Sequence, residues 1–173
     1  MRGSIPCDVL FCAEGPGHSE DALGRPMVGP AGKLFDSILD RCVPKGVTYA
    51  ITNLIDCIPL GDDGNKTDKP PQEAIEACAP RFLQLIQIAR PKLLICVGKE
   101  ATEWLDVKWA KSIMKGAPDW VRKIPQESVT HPSYILQAAV AAQGMAKQRC
   151  MVLISDAIEE HVTNKRKKIG DHP

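Results

Sequence analysis

The chain has 173 residues, 44% of them hydrophobic and 25% charged, the make-up of one soluble globular domain with a substantial core. A net charge of +1 does not advertise a nucleic-acid partner, although a local basic patch would matter more than the total. No run approaches the ~20 apolar residues of a membrane span, and Pro6, Cys7 and Asp8 interrupt any signal-peptide core, so the chain is expected to be cytoplasmic and free of membrane.

In chain order, Asp8-Val9-Leu10-Phe11-Cys12 is an apolar run ending at a Gly/Pro turn, the expected first strand. A loop from Gly17 to Pro30 follows, in which Ser19, Glu20 and Asp21 are not obviously helical. Leu34, Phe35, Ile38 and Leu39 make a helical stripe within 31–42. Tyr49 to Ile55 is rich in β-formers and reads as strand two. After a turn-rich loop, Pro70 and Pro71 suit a helix start, with Glu73 and Glu76 in its early turns; that helix ends before Pro91. Lys92 to Val97 is strand three, and Gly98 turns into a helix bearing Ala101, Trp104 and Leu105. A less regular stretch holds Trp109, Pro118 and Trp120. Ser128-Val129-Thr130 closes a last strand, and Tyr134 to about Val162 reads as one or two helices broken near Gly144. Apolar strands alternating with amphipathic helices predict a three-layer α/β/α domain around a four-stranded, mainly parallel sheet. Residues 1–163 form the expected single domain. Residues 164–173 form a basic tail, Asn164-Lys165-Arg166-Lys167-Lys168, either a solvated end or a phosphate contact.

Two segments stand at strand ends, the edge where open α/β sheets bind ligands: Cys12-Ala13-Glu14-Gly15-Pro16-Gly17 and Thr130-His131-Pro132-Ser133. The first offers a carboxylate and a glycine-rich turn. A dinucleotide loop would need a third glycine opening into a helix, and acids follow here instead. Asn53 ends strand two; its amide suits a base edge carrying both O and N–H, or a local turn. His131 can hold a carbonyl or a developing oxyanion, or serve structurally. The seven cysteines are scattered, and Cys12 and Cys96 sit inside apolar runs as small hydrophobes. Cys57 and Cys78 are two metal ligands or two reduced thiols; a cluster or structural zinc needs four donors, and the chain has no CxxC.

Together these segments resemble the uracil-DNA glycosylase superfamily, most closely its iron–sulfur branch, family 4. The similarity runs from about Asp8 to Leu136. It is carried by Ala13-Glu14-Gly15-Pro16-Gly17, by Ser19-Glu20-Asp21, and by Gly24-Arg25-Pro26-Met27-Val28-Gly29-Pro30-Ala31-Gly32-Lys33-Leu34. It continues through Ile51 to Pro59, Glu73 to Cys78, Arg90 to Gly98, and His131-Pro132-Ser133-Tyr134, in order and at suitable spacings. The resemblance implies hydrolytic removal of uracil from single- or double-stranded DNA by base flipping, the first step of base excision repair, by a monofunctional enzyme acting as a monomer. It implies that Glu14 and Glu20 lie by the sugar and the attacking water and that Asn53 reads the uracil edge. His131 would hydrogen-bond uracil O2 as the base departs. Backbone around Gly15, Pro16 and Gly17 would bind base or phosphate, and Pro132, Ser133 and Tyr134 would enter the minor groove.

Three departures qualify the resemblance. Met27 stands where the family has a Phe that stacks on uracil, which predicts weaker uracil binding, altered base preference or activity confined to single strands. The branch holds a 4Fe–4S cluster on four cysteines, two of them upstream of strand one. Only seven residues precede Asp8 here, so Cys57 and Cys78 match two ligands and Cys7 is a conceivable third. The expectation is therefore no cofactor, by loss of the cluster, with truncation of a longer protein as the alternative. Ala13 replaces the usual first glycine, a change expected to matter little. The basic loop that lets a related branch trap DNA covalently is not visible. A catalytically weak DNA-binding domain assisting a replication partner is the second reading, and an unrelated nucleotide-binding protein the third.

Overall fold

The computed structural model describes residues 1–61, 63–65, 69–105 and 116–164; Trp109 and the basic run Lys165 to Lys168 lie outside the described residues. In chain order the elements are β1 (Arg2–Gly3), β2 (Val9–Ala13), α1 (His18–Leu23), α2 (Pro30–Cys42), β3 (Tyr49–Asn53), α3 (Gln72–Ala89), β4 (Leu93–Val97), α4 (Lys99–Glu103), α5 (Asp119–Arg122), β5 (Gln126–Val129), α6 (Pro132–Gln137) and α7 (Val140–Ile158). A π-helical turn over Glu159–Thr163 continues α7.

The sheet order is β1-β3-β2-β4-β5, and the last four strands run parallel. It therefore has five strands where four were expected. The extra one, β1, is two residues long and pairs antiparallel with β3, Arg2 opposite Ile51 and Gly3 opposite Ala50. Two residues carry no hydrophobic period; β1 is held by its backbone pairing and by the Arg2 guanidinium, which donates to both carboxylate oxygens of Asp36. Gly3 has φ 110°, and a Cβ there would overlap the Tyr49 carbonyl.

Alternation along the strands sorts the core into two layers. Leu10, Cys12, Leu94 and Cys96 face one side, where Ile75, Phe82 and Ile86 of α3 pack with Trp104, Leu105 and Val121. Val9, Phe11, Ile51, Leu93 and Ile95 face the other, against Phe35, Ile38 and Leu39 of α2 and Cys150, Ile154 and Ile158 of α7. Both faces are thus covered, as the continuous apolar runs require. Helix α3 runs through Pro80, whose missing N–H would cost about 3 kcal/mol in an isolated helix. Pro80 sits on the exposed face, and five buried residues on the core face keep the helix intact.

Two expectations at the helices need correction. Ser19, Glu20 and Asp21 are helical, because the Glu20 carboxylate folds back onto Gly17 N–H and caps the short helix α1. The C-terminal helices break at Ala138 and Ala139, not at Gly144, which lies within α7. Ala138 and Ala139 have extended ψ values of 154° and 140°, and a lone helical glycine lowers helix stability without ending the helix. Among the described residues, no helix is long and apolar enough to cross a membrane.

Candidate active site

From β2 the chain crosses to β3 on one side of the sheet and then to β4 on the other. Connections leaving the C-terminal ends of β2 and β4 therefore diverge, and a crevice opens between them, the usual ligand position in such sheets. A cleft of about 680 Å³ occupies it, lined by Glu14, Glu20, Met27, Gly98, His131 and Tyr134 among others. Residues more than a hundred positions apart meet there because their strands are parallel and in register.

Glu14 follows β2 directly. The β2–β3 pairing continues past Asn53: Leu54 N–H donates to Ala13 O (2.9 Å) and Ile55 N–H to Glu14 O (3.2 Å). This fixes the backbone that carries the carboxylate. At Gly15 a Cβ would stand 2.7 Å from Ile55 Cγ1, so only glycine lets the turn close. Across the cleft, Lys69 Nζ pairs with Glu100 Oε1 at 2.9 Å. That hydrogen bond, followed by the charges of Glu100, Glu103 and Glu14, raises the Lys69 pKa and keeps the amine protonated.

His131 is the N-cap of α6. Ser133 N–H donates to its Nδ1 (3.2 Å), and Ser133 Oγ lies 2.7 Å from the same atom. Nδ1 is thereby an acceptor, and the proton of the neutral ring sits on Nε2. The ring rests on Gly98, where φ is 101° and a Cβ would come within 3.0 Å of His131 Cβ and 3.6 Å of Cδ2. Pro132 and Ser133 form the first turn of α6, not a loop; Pro132 is buried and Tyr134 exposed at the cleft mouth. His131 accepting from Ser133 N–H and Pro at the first helical position start this helix.

Glu20, expected beside the attacking water, has both oxygens engaged by backbone. Oε1 accepts from Val28 N–H (2.9 Å) and Gly29 N–H (2.7 Å), and Oε2 from Gly17 N–H (3.2 Å). Burial pushes its pKa up, but the N–H groups of Gly29, Val28 and Gly17 outweigh that and leave it lowered. The loop it grips carries Met27, buried at 5% exposure with φ 54°, a left-handed conformation uncommon outside glycine.

Asn53 is buried and opens into an adjoining cleft of about 250 Å³, together with Pro16, Arg25, Asp56 and Glu20. Glu20 thus stands between the Asn53 cleft and the Glu14–His131 cleft. Arg81, which sequence reasoning missed, locks this corner. Its Nη2 donates to the carbonyls of Asn53 (2.9 Å) and Leu54 (3.0 Å), and its Nε pairs with Asp56 at 2.8 Å. An arginine in the middle of an amphipathic helix gives no local signal of that role. Lys69 and Gly98 were likewise missed; the glycine after a strand was the one available cue.

Cys7 does not join Cys57 and Cys78. Cys57 is exposed beyond the C-terminal end of β3, Cys78 is half-buried on α3, and Cys7 is buried ahead of β2. Cys7 stands at the opposite edge of the sheet from Cys57, about 16 Å away for a five-residue strand, so it is no third ligand. Among the described residues no three His, Cys, Asp or Glu side chains group as a metal site, and a 4Fe–4S cluster takes four thiolates. Among the described residues, Cys57 and Cys78 are the two thiols that could contribute to such a set of four.

A family model described as the uracil DNA glycosylase superfamily matches residues 2–154. A type-4 uracil-DNA glycosylase of Thermotoga maritima is 33% identical over 139 residues, covering 79% of this chain and 70% of that protein. One of Archaeoglobus fulgidus is 29% identical over 143 residues, covering 78% and 69%. One of Pyrobaculum aerophilum is 38% identical over 97 residues, covering 56% of this chain and 47% of its own length.

Proposed function

The chain belongs to the uracil DNA glycosylase superfamily, and from that premise we propose that it removes uracil from DNA by hydrolysing the N-glycosidic bond of a flipped nucleotide. The observation that carries the reading is the pairing of Glu14 with His131 across one cleft at the β2–β4 crevice. A carboxylate and a neutral imidazole donor are the two groups this hydrolysis needs. Glu14 orients water at C1′, accepts its proton, and offsets the positive charge that develops on the sugar. The C1′–N1 bond breaks with its electron pair passing to the base. His131 Nε2–H then donates to uracil O2, where negative charge collects, and Ser133 holds Nδ1 so that the ring presents this tautomer. Asn53, its backbone held by Arg81, reads the base edge.

The cleft amine of Lys69 favours hydrolysis over a Schiff-base lyase step. Lys69 is held protonated by Glu100, and a protonated amine is no nucleophile. Tyr134, exposed at the cleft mouth, fits the role of a wedge replacing the flipped base, and Leu136 is exposed on the same short helix.

The test is excision from a labelled oligonucleotide carrying one uracil, single-stranded and opposite G or A. The wild type should leave alkali-labile sites at the uracil and no strand break without alkali. His131→Ala should lower the rate about 10²–10³-fold, the usual loss for one oxyanion donor, and the Glu14→Ala, His131→Ala double variant should abolish it. Intact DNA binding without alkali-labile sites would refute the reading.

A further inference from the structure

Glu20 lines the cleft, yet its geometry is that of a clamp. Three N–H groups from two separate segments end on one carboxylate: Gly17 from the turn after β2, and Val28 and Gly29 from the segment before α2. Between the ends of that clamp, Met27 is held at φ 54°. A second feature, independent of Glu20, holds the same residue. Gly32, in the first turn of α2, has no side chain, and the Met27 carbonyl fills the space; any Cβ there would overlap the Met27 carbonyl carbon and oxygen. Left-handed backbone at a non-glycine residue is strained and persists only where its surroundings over-determine it.

We propose that Glu20 is a positioning residue that acts through Met27: by closing the segment 24–29 against the Gly15–Gly17 turn, it sets the Met27 side chain as the wall against which the extruded base lies. This rests on the glycosylase reading for its substrate and leaves the chemical step to Glu14 and His131. Glutamine at 20 would keep one acceptor oxygen but turn an NH₂ toward a backbone N–H, so at least one of the three bonds is lost. Aspartate is one methylene short and cannot reach both segments together.

The experiment compares wild type, Glu20→Gln, Glu20→Asp, Met27→Ala and the Glu20→Gln, Met27→Ala double variant on a single-stranded uracil oligonucleotide, with kcat and KM measured across pH. Glu20→Gln should raise KM about tenfold, the size expected for one lost charge-assisted hydrogen bond, with kcat and its pH profile unchanged. In the Met27→Ala background the same substitution should change KM less than about twofold, since contacts made through one residue are not additive. Amide exchange across 17–29 should quicken in Glu20→Gln while the strands stay protected, a readout that also excludes a misfolded variant. A fall in kcat with an altered pH profile at unchanged KM would make Glu20 a catalytic base and overturn the proposal. So would additive effects on KM or unaltered amide exchange. Should the wild type excise no uracil, the glycosylase reading fails, and the amide exchange, with the Kd for the same oligonucleotide, still decides for or against the clamp.

Discussion

Gly98→Ala tests whether the contact between β4 and His131 sets the catalytic geometry. Gly98 has φ 101° and ψ 163°, a region that is essentially glycine's alone. An alanine forced to stay there costs about 1–3 kcal/mol, which for a domain of this size lowers Tm by roughly 2–12 °C. Its Cβ would also stand 3.0 Å from His131 Cβ, so the imidazole must retreat by a few tenths of an ångström or the strand end must rotate. The strand end resists rotation, because Gly98 N–H donates to Val129 O at 2.8 Å and Gly98 O accepts from Thr102 N–H at 3.2 Å. The ring therefore takes most of the displacement. Misplacement of a catalytic group by about 1 Å can cost about 10² in rate, and a shift of part of that predicts a loss of roughly tenfold or more in single-turnover excision. Gly144→Ala is the control of opposite sign: Gly144 lies within α7 with no atom within 4 Å of a new Cβ, so alanine should add about 0.5–1 kcal/mol of stability and leave excision unchanged. Excision within twofold of wild type in Gly98→Ala, measured alongside a thermal melt, would refute the reasoning.

Thiol labelling at pH 8 should modify Cys57 first and Cys78 next, because the other five cysteines are buried and burial raises Cys7, Cys42 and Cys150 to a pKa of about 11. Labelling of the buried five as fast as Cys57, read by mass spectrometry, would contradict this placement. The Glu20 clamp also predicts a pH dependence. The folded-state pKa lies below the ordinary 4.5, so the clamp's contribution is complete above that value and is lost as pH falls through the lowered one. Thermal melts from pH 7 to pH 3 should show wild type losing more stability than Glu20→Gln; parallel losses would refute the assignment.

The layer order was legible because β2 and β4 are continuous apolar runs and β3 is rich in β-formers, and such runs buried on both faces leave few alternatives to a parallel sheet. Glu14 and His131 were legible for the same reason: each follows a strand, and topology alone brings strand ends to one edge. β1 was not legible, since two residues carry no side-chain pattern and the partner of Arg2, Asp36, is distant in sequence. Arg81 was not either. It is one charged residue in a long helix, and its partners are carbonyls nearly thirty positions away. The backbone bonds of Glu20 were not legible, because an acid near a glycine turn gives the same sequence signal whether it faces water or backbone N–H. Only the three donor distances separate the two.

Met27 joins these points. A thioether in place of a ring first suggests a loss of stacking area, which treats the side chain as the determinant of base preference. The structure leaves Met27 only 5% exposed, so the cleft meets no more than an edge of it. What varies is where that edge stands. Its position is set by a left-handed backbone held from one side by Glu20 and from the other by the notch at Gly32. On the clamp proposal, base preference in this cleft belongs to the segment 24–32 as a unit. Exchanging Met27 for an aromatic residue without reshaping that segment would change the bulk of the wall more than its position.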